Sequence, residues 1–198
     1  MSERYVLDKD LKEAVALADS LTPYVHENQL YGIAGSGGFF SKMPAMTIGG
    51  LVMRLRRLDA LRDQLTPAQQ EKLEQAKARN AEVQKEWRVH YEGKMLREAN
   101  SRLDAMRMYF DECASSPRTC ANNYGPEVLR RTTVQELVIA MEEMGIESED
   151  LRTKLAGTDS KLRRVVRPAE FVWAEMLKPA YPEKPFWWLY QHPPAPTK

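Results

Sequence analysis

Cysteine, histidine and any imbalance of charge are scarce in this chain, and each scarcity removes a class of protein. Two cysteines cannot build the disulfide framework of a small secreted domain. Three histidines, His26, His90 and His192, leave little for a multi-histidine metal centre. Lys and Arg number 29 against 28 Asp and Glu, a net charge of +1. Global charge therefore draws the chain toward neither a polyanion nor an acidic-tail function. No apolar run approaches the ~20 residues of a membrane-spanning helix. The polar start Met1-Ser2-Glu3-Arg4-Tyr5 lacks a signal-peptide core. A cytoplasmic location with no membrane association is the expectation. Alternating strand patterns and solenoid-length repeats are both lacking, which argues against a β fold and a repeat array.

What is present is helical periodicity. Leu7, Leu11, Ala14, Val15, Ala18 and Leu21 recur at steps of three and four and predict a helix over 7–22, ended or kinked at Thr22-Pro23. Thr47 caps a second helix over 47–64, whose apolar face is Ile48, Leu51, Val52, Leu55, Leu58 and Leu61. Gly49-Gly50 in its first turn signals close backbone packing. Thr66 and Pro67 form a strong helix start, and Gly93 is the lone glycine from there to Ser115. A helix over 67–115 follows, about 73 Å long if continuous. Its apolar register changes midway: Leu73, Ala76, Val83 and Trp87 form one stripe, while Val89, Leu96, Ala99, Leu103, Met106, Phe110 and Cys113 form another. The change places a break near His90 to Gly93.

Cys113 to Pro126 reads as a loop. Thr133-Val134-Gln135-Glu136 matches a capping box within a helix placed over 127–144, whose apolar stripe is Val134, Leu137, Val138 and Met141, with Gly145 as its C-terminal cap. Ser148 caps a helix over 149–166, and Pro168 opens a short one over 169–177. The tail 179–198 alternates proline with aromatics. These elements predict an all-α fold: a single domain over 1–198, an irregular helical bundle around a long, kinked central helix, closed by an aromatic, proline-rich C-terminal strap.

Motifs that carry chemistry are weak. Glu82, Glu86 and His90 are spaced i, i+4, i+8 and rise on one helix face, a mix suited to a metal. A bundle metal site needs ligands from a second helix, and neither a paired Glu-x-x-His nor HExxH occurs. The bland alternative packs His90 beside Trp87. The segment Tyr31 to Phe40 holds four of the ten glycines but fails both phosphate-loop patterns: Phe39 and Phe40 follow Gly38, and Lys42 comes too late. It reads as a packed glycine turn. A bridge between Cys113 and Cys120 is geometrically possible. A reducing cytoplasm and the apolar register of Cys113 favour a buried free thiol.

Charge is patterned even though it balances overall. Glu136 to Asp150 carries acids and no base, whereas Leu151 to Arg167 is strongly basic. Arg54, Arg56 and Arg57, with Arg163 and Arg164, would suit phosphates if exposed together, or would pair with carboxylates of the same chain. Phe186, Trp187, Trp188 and Tyr190 either complete the core as a strap or dock a partner. The residues favour a non-enzymatic protein-interaction or assembly protein, binding a protein partner or itself as a homo-oligomer, with no cofactor. A nucleic-acid-binding accessory protein is the alternative, and a metal-dependent enzyme at Glu82, Glu86 and His90 is a further one.

Overall fold

The computed structural model describes residues 5–35 and 43–194, and among them the fold class is all-α. Two compact units form among the described residues, one over 5–98 and one over 99–194.

The first unit contains α1 (Leu7–Asp19), α2 (Leu21–His26), the strand pair β1 (Gly32–Ile33) and β2 (Ala45–Met46), α3 (Ile48–Ala60), α4 (Pro67–Glu86) and the first turns of α5 (Arg88–Ser115). α1 packs on both α3 and α4. The predicted stripes supply the core: Leu11, Ala14, Ala18, Leu21, Leu51, Leu58, Leu73 and Ala76 are all buried, joined by Leu17. The helix expected over 7–22 divides at Ser20, earlier than Thr22-Pro23. Ser20 Oγ donates to Ala16 O and accepts from Gly35 N, both at 2.8 Å. Pro23 then falls in the first turn of α2, where a missing N–H costs nothing.

Thr47 caps α3 as its sequence position suggests, accepting from Gly50 N at 3.0 Å. A Cβ on Gly50 would lie 2.9 Å from Thr47 Oγ1, so the close approach expected at the glycine pair is real at this position. Thr66 and Gln69 close a capping box, with Pro67 at the helix start. The single helix expected over 67–115 is two helices, and the interruption is Trp87, with φ −116° and ψ 38°. Leaving helical geometry there rotates the stripe that follows, which accounts for the change of apolar register. Of the glycine segment, β1 pairs antiparallel with β2, Gly32 opposite Met46. Residues 36–42, with Gly37, Gly38, Phe39, Phe40 and Lys42, lie outside the described residues.

The second unit holds the rest of α5, then α6 (Pro117–Asn122), α7 (Tyr124–Glu143), α8 (Glu149–Val165), β3 (Arg167–Pro168) and β4 (Gln191–His192). The expected loop from Cys113 to Pro126 is largely helical. Ser116 caps α6, accepting from Thr119 N, and Pro117 suits its first turn. Gly125-Pro126 sits inside the first turn of α7 instead of ending a loop. Thr133 is therefore interior to a helix and no cap: its hydroxyl donates to Leu129 O, one turn back, at 2.8 Å. The expected helix over 169–177 is absent, and 3-10 turns run from Glu175–Ala180. Backbone donors there are already taken by the tail, Ala169 N bonding Tyr190 O and Val172 N bonding Leu189 O.

The tail packs as a strap within this unit. β4 pairs antiparallel with β3, and Trp188 is fully buried. Trp188 Nε1 donates to Thr132 Oγ1 at 2.9 Å, and its carbonyl accepts from Tyr124 Oη at 2.7 Å. Residues 195–198 lie outside the described residues.

Cys113 and Cys120 are bonded to each other, which corrects the expectation of a free thiol. The reason is α6: by folding back from the end of α5, it returns Cys120 to Cys113, a neighbour that no loop reading supplies.

Glu127, in the first turns of α7, is 5% exposed. One carboxylate oxygen pairs with Arg130, and the other has no hydrogen-bond partner among the described residues. Burial raises its pKa, Glu112 adds to the rise, and Arg130 opposes it. A carboxyl raised on folding has its full stability below the unfolded pKa of about 4.3 and loses it as pH rises through the folded value. Glu127→Gln is therefore expected to raise the thermal midpoint at pH 8 relative to the parent, with the gain shrinking to nothing near pH 4. Differential scanning fluorimetry across that range checks it, and a pH-independent difference would remove the titration from the explanation.

Candidate functional site

A concavity of the second unit lies at the corner between α7 and α8. Its geometry starts from a glycine. Gly145 has φ +68°, a backbone state that L side chains rarely adopt. This lets Ile146 N bond Met141 O at 2.8 Å and Gly145 N bond Glu142 O at 3.0 Å, the paired bonds of a Schellman end. The motif turns the chain and brings Ile146 to the same wall as Met141. Ser148 Oγ then accepts from Leu151 N at 3.3 Å and starts α8. Glu149 and Asp150 occupy the first turn of that helix, where carboxylates suit the helix dipole.

The result is a cavity of about 350 Å³. Such a volume lies at the small end of ligand sites, roughly 300–1,000 Å³. Val138, Met141, Ile146, Leu151, Leu155 and Trp187 form its apolar lining. Its polar end is Arg131, which is buried and clamps Asp159 with two bonds of 2.7 and 2.9 Å. Gln135 Oε1 accepts from the same guanidinium, whose carbon sits 3.8 Å from the Trp188 ring centroid. The donors of Arg131 are thus committed inside the fold, and it serves as a rigid floor. Glu142 and Glu147 also line the cavity. Both are exposed, and no cation of the described residues pairs with either side chain.

Of the four tail aromatics singled out in the sequence, Trp187 lines this cavity, with the Arg163 guanidinium 3.8 Å from its ring. Phe186 and Trp188 are buried in the unit's own core. Tyr190 is half-buried and donates its hydroxyl to Tyr181 O at 2.9 Å. The cavity wall from α7 and α8 was not legible as a site. Its two signals, the acidic run to Asp150 and the stripe through Val138 and Met141, belong together only once Gly145 turns the chain.

The arginines read as a phosphate patch are placed differently. In the first unit Arg54 donates to Glu13 Oε2 at 2.6 Å, and Arg57 donates through two nitrogens to Asp10. Tyr5 Oη also donates to Asp10, at 2.8 Å. α1, a helix with no role in the charge asymmetry noticed in the sequence, supplies these acids. Arg56 is half-buried on α3. In the second unit Arg163 stacks on Trp187, and Arg164 is exposed.

Glu82, Glu86 and His90 are all exposed, and Trp87 separates the helix of the two glutamates from that of His90. His90 lies in an aromatic group with Trp87 and His26, ring centroids 6.3 and 5.0 Å away. Among the described residues no three His, Cys, Asp or Glu side chains converge as a metal would need. Nor is any helix among them long and apolar enough to cross a membrane.

One further group with unusual chemistry is Lys94. It is buried, donates to Gln29 O, and lies 3.8 Å from the Tyr24 ring centroid. Burial first, and Arg97 second, lower its pKa.

Set against known proteins, the chain matches no family model, and no curated protein or solved structure shows significant similarity to it.

Proposed function

We propose that this chain is a non-enzymatic interaction protein whose α7–α8 cavity receives a basic segment of a partner protein, anchored by apolar side chains. The observation that carries the proposal is the combination at one place of an open apolar lining with two carboxylates, Glu142 and Glu147, that form no ion pair among the described residues, while Arg152, the exposed cation of the lining, pairs with Glu149. An apolar pocket supplies the affinity of an anchor residue, and the acids at its rim select for flanking Lys or Arg. Elsewhere in the fold, the acids Asp10 and Glu13 already hold arginines, so the bare carboxylates at this rim set it apart from those positions. A phosphate or nucleic-acid role for Arg54 and Arg57 has no comparable support, since both already donate to carboxylates. A cytoplasmic setting is kept as part of the proposal, with the disulfide requiring its own account there.

The test uses a synthetic helical peptide with leucines at i, i+3, i+4 and i+7 and lysines between them. Calorimetry at low salt is expected to show saturable binding. Charge reversal of both rim acids, Glu142→Lys with Glu147→Lys, should weaken it by about tenfold or more, an effect that added salt shrinks. Binding that survives both Val138→Lys and the charge reversal would overturn the proposal. Light scattering of the free protein separates self-association from binding to a different chain.

A further inference from the structure

The two sulfurs of the Cys113–Cys120 bridge sit in unlike surroundings. Cys113 is half-buried near the end of α5, whereas Cys120 is 3% exposed on α6. The buried Tyr109 hydroxyl donates to Cys120 O at 3.1 Å and lies 3.3 Å from Cys120 Sγ. That hydroxyl keeps its proton, because burial first, then the charges of Glu127 and Glu112, push its pKa far up. The bridge is not alone in holding α6 to α5. Asn123 Nδ2 donates to Glu112 Oε2 at 2.8 Å, and Ser116 caps α6 independently.

We propose that Cys113–Cys120 is a thiol–disulfide exchange site that takes a dithiol as its reductant, with Cys113 as the sulfur attacked and Cys120 as the sulfur that leaves. Exchange needs an approach to one sulfur in line with the bond, and of the two residues Cys113 is the one that is not buried. In the first step a thiolate of the dithiol bonds to Cys113 Sγ, the bridge breaks, and its electron pair departs on Cys120 Sγ. The Tyr109 hydroxyl is placed to turn its hydrogen bond onto that thiolate, which then takes a proton from solvent. In the second step the dithiol's other thiolate attacks its own sulfur in the mixed disulfide. Cys113 leaves as a thiolate and is protonated in turn. The net exchange moves two electrons and two protons to the protein and leaves the reductant as its cyclic disulfide. The bonds of Tyr109, Ser116 and Asn123 keep the two cysteines close for reoxidation. A disulfide that cycles in this way is also the kind found in a reducing compartment, where static bridges are rare.

The experiment treats the folded full chain with excess dithiothreitol and no denaturant, and follows free thiols by alkylation and mass spectrometry. Complete reduction with an unchanged circular dichroism spectrum, reversed by oxidised glutathione once the dithiothreitol is removed, is expected. Resistance to reduction until denaturant is added would overturn the proposal. Relative access to the two sulfurs is read with oxidised glutathione on the single-cysteine variants. Cys120→Ser, which keeps Cys113, should form its mixed disulfide at least about tenfold faster than Cys113→Ser, following accessibility. Equal rates, or the reverse order, would refute the assignment of roles. Tyr109→Phe should slow reduction of the bridge by about tenfold, the weight of one hydrogen bond to the leaving sulfur. An unchanged rate would remove Tyr109 from the site.

Discussion

Trp188→Ala is expected to destabilise the second unit by about 3–5 kcal/mol, the range for deleting a large buried aromatic side chain. The indole is fully buried and meets Phe186 and Trp187 edge-on, with ring centroids 5.7 Å away in both cases. It also carries the Arg131 guanidinium on its face and donates to Thr132. Truncation therefore removes apolar contact, a cation–π contact and the satisfaction of a buried hydroxyl together. Trp188→Phe separates these contributions. It keeps most of the ring and gives up the N–H, a loss of about 1–2 kcal/mol. Urea denaturation measures both variants, and hydrogen exchange locates the loss, which should concentrate in residues 99–194. An alanine variant within about 1 kcal/mol of the parent would show that the strap is not part of the core.

The second large effect belongs to the first unit. Asp10 is 3% exposed and accepts from Tyr5 and from two nitrogens of Arg57, with Arg54 3.4 Å away. Asp10→Ala takes the carboxylate from between two arginines that are themselves largely buried. Removing one partner of a buried ion pair costs about 3–5 kcal/mol, because the surviving charges stay desolvated. Asp10→Asn preserves shape and part of the hydrogen bonding, and is expected to fall between the parent and the alanine variant. The same denaturation series measures it, with exchange rising in residues 5–35 and 43–98. Equal stability of all three proteins would mean that Glu13 alone holds the arginines.

Much of the fold was legible in the sequence, and the parts that were not share a cause. Stripes such as Leu51, Leu55 and Leu58, and caps such as Thr47, Thr66 and Ser148, depend on neighbours within a turn or two, and they mark helices where the helices are. The helix breaks at Ser20 and Trp87 come a few residues earlier than the sequence places them, because distant groups decide them, and Thr133 is not the cap its pattern suggests. Gly35 engages the Ser20 hydroxyl, and His26 packs edge-on against Trp87 at 4.3 Å. Thr133 carries a good capping pattern that an uninterrupted helix overrides. The disulfide and the carboxylate partners of Arg54 and Arg57 are likewise tertiary facts. The cavity is the clearest instance. Its acids and its apolar stripe were each visible, but only the left-handed turn at Gly145 sets them around one opening.

That cavity is the centre of the functional account, and methyl-resolved NMR of the full chain tests it most directly. The methyl groups of Val138, Met141, Ile146, Leu151 and Leu155 are followed while the leucine–lysine peptide is added. The same titration is run with a leucine–glutamate peptide of equal length. The account predicts saturable shifts confined to these methyls and the Trp187 indole with the basic peptide, and none with the acidic one. Methyls that stay still, or that respond alike to both peptides, would contradict it.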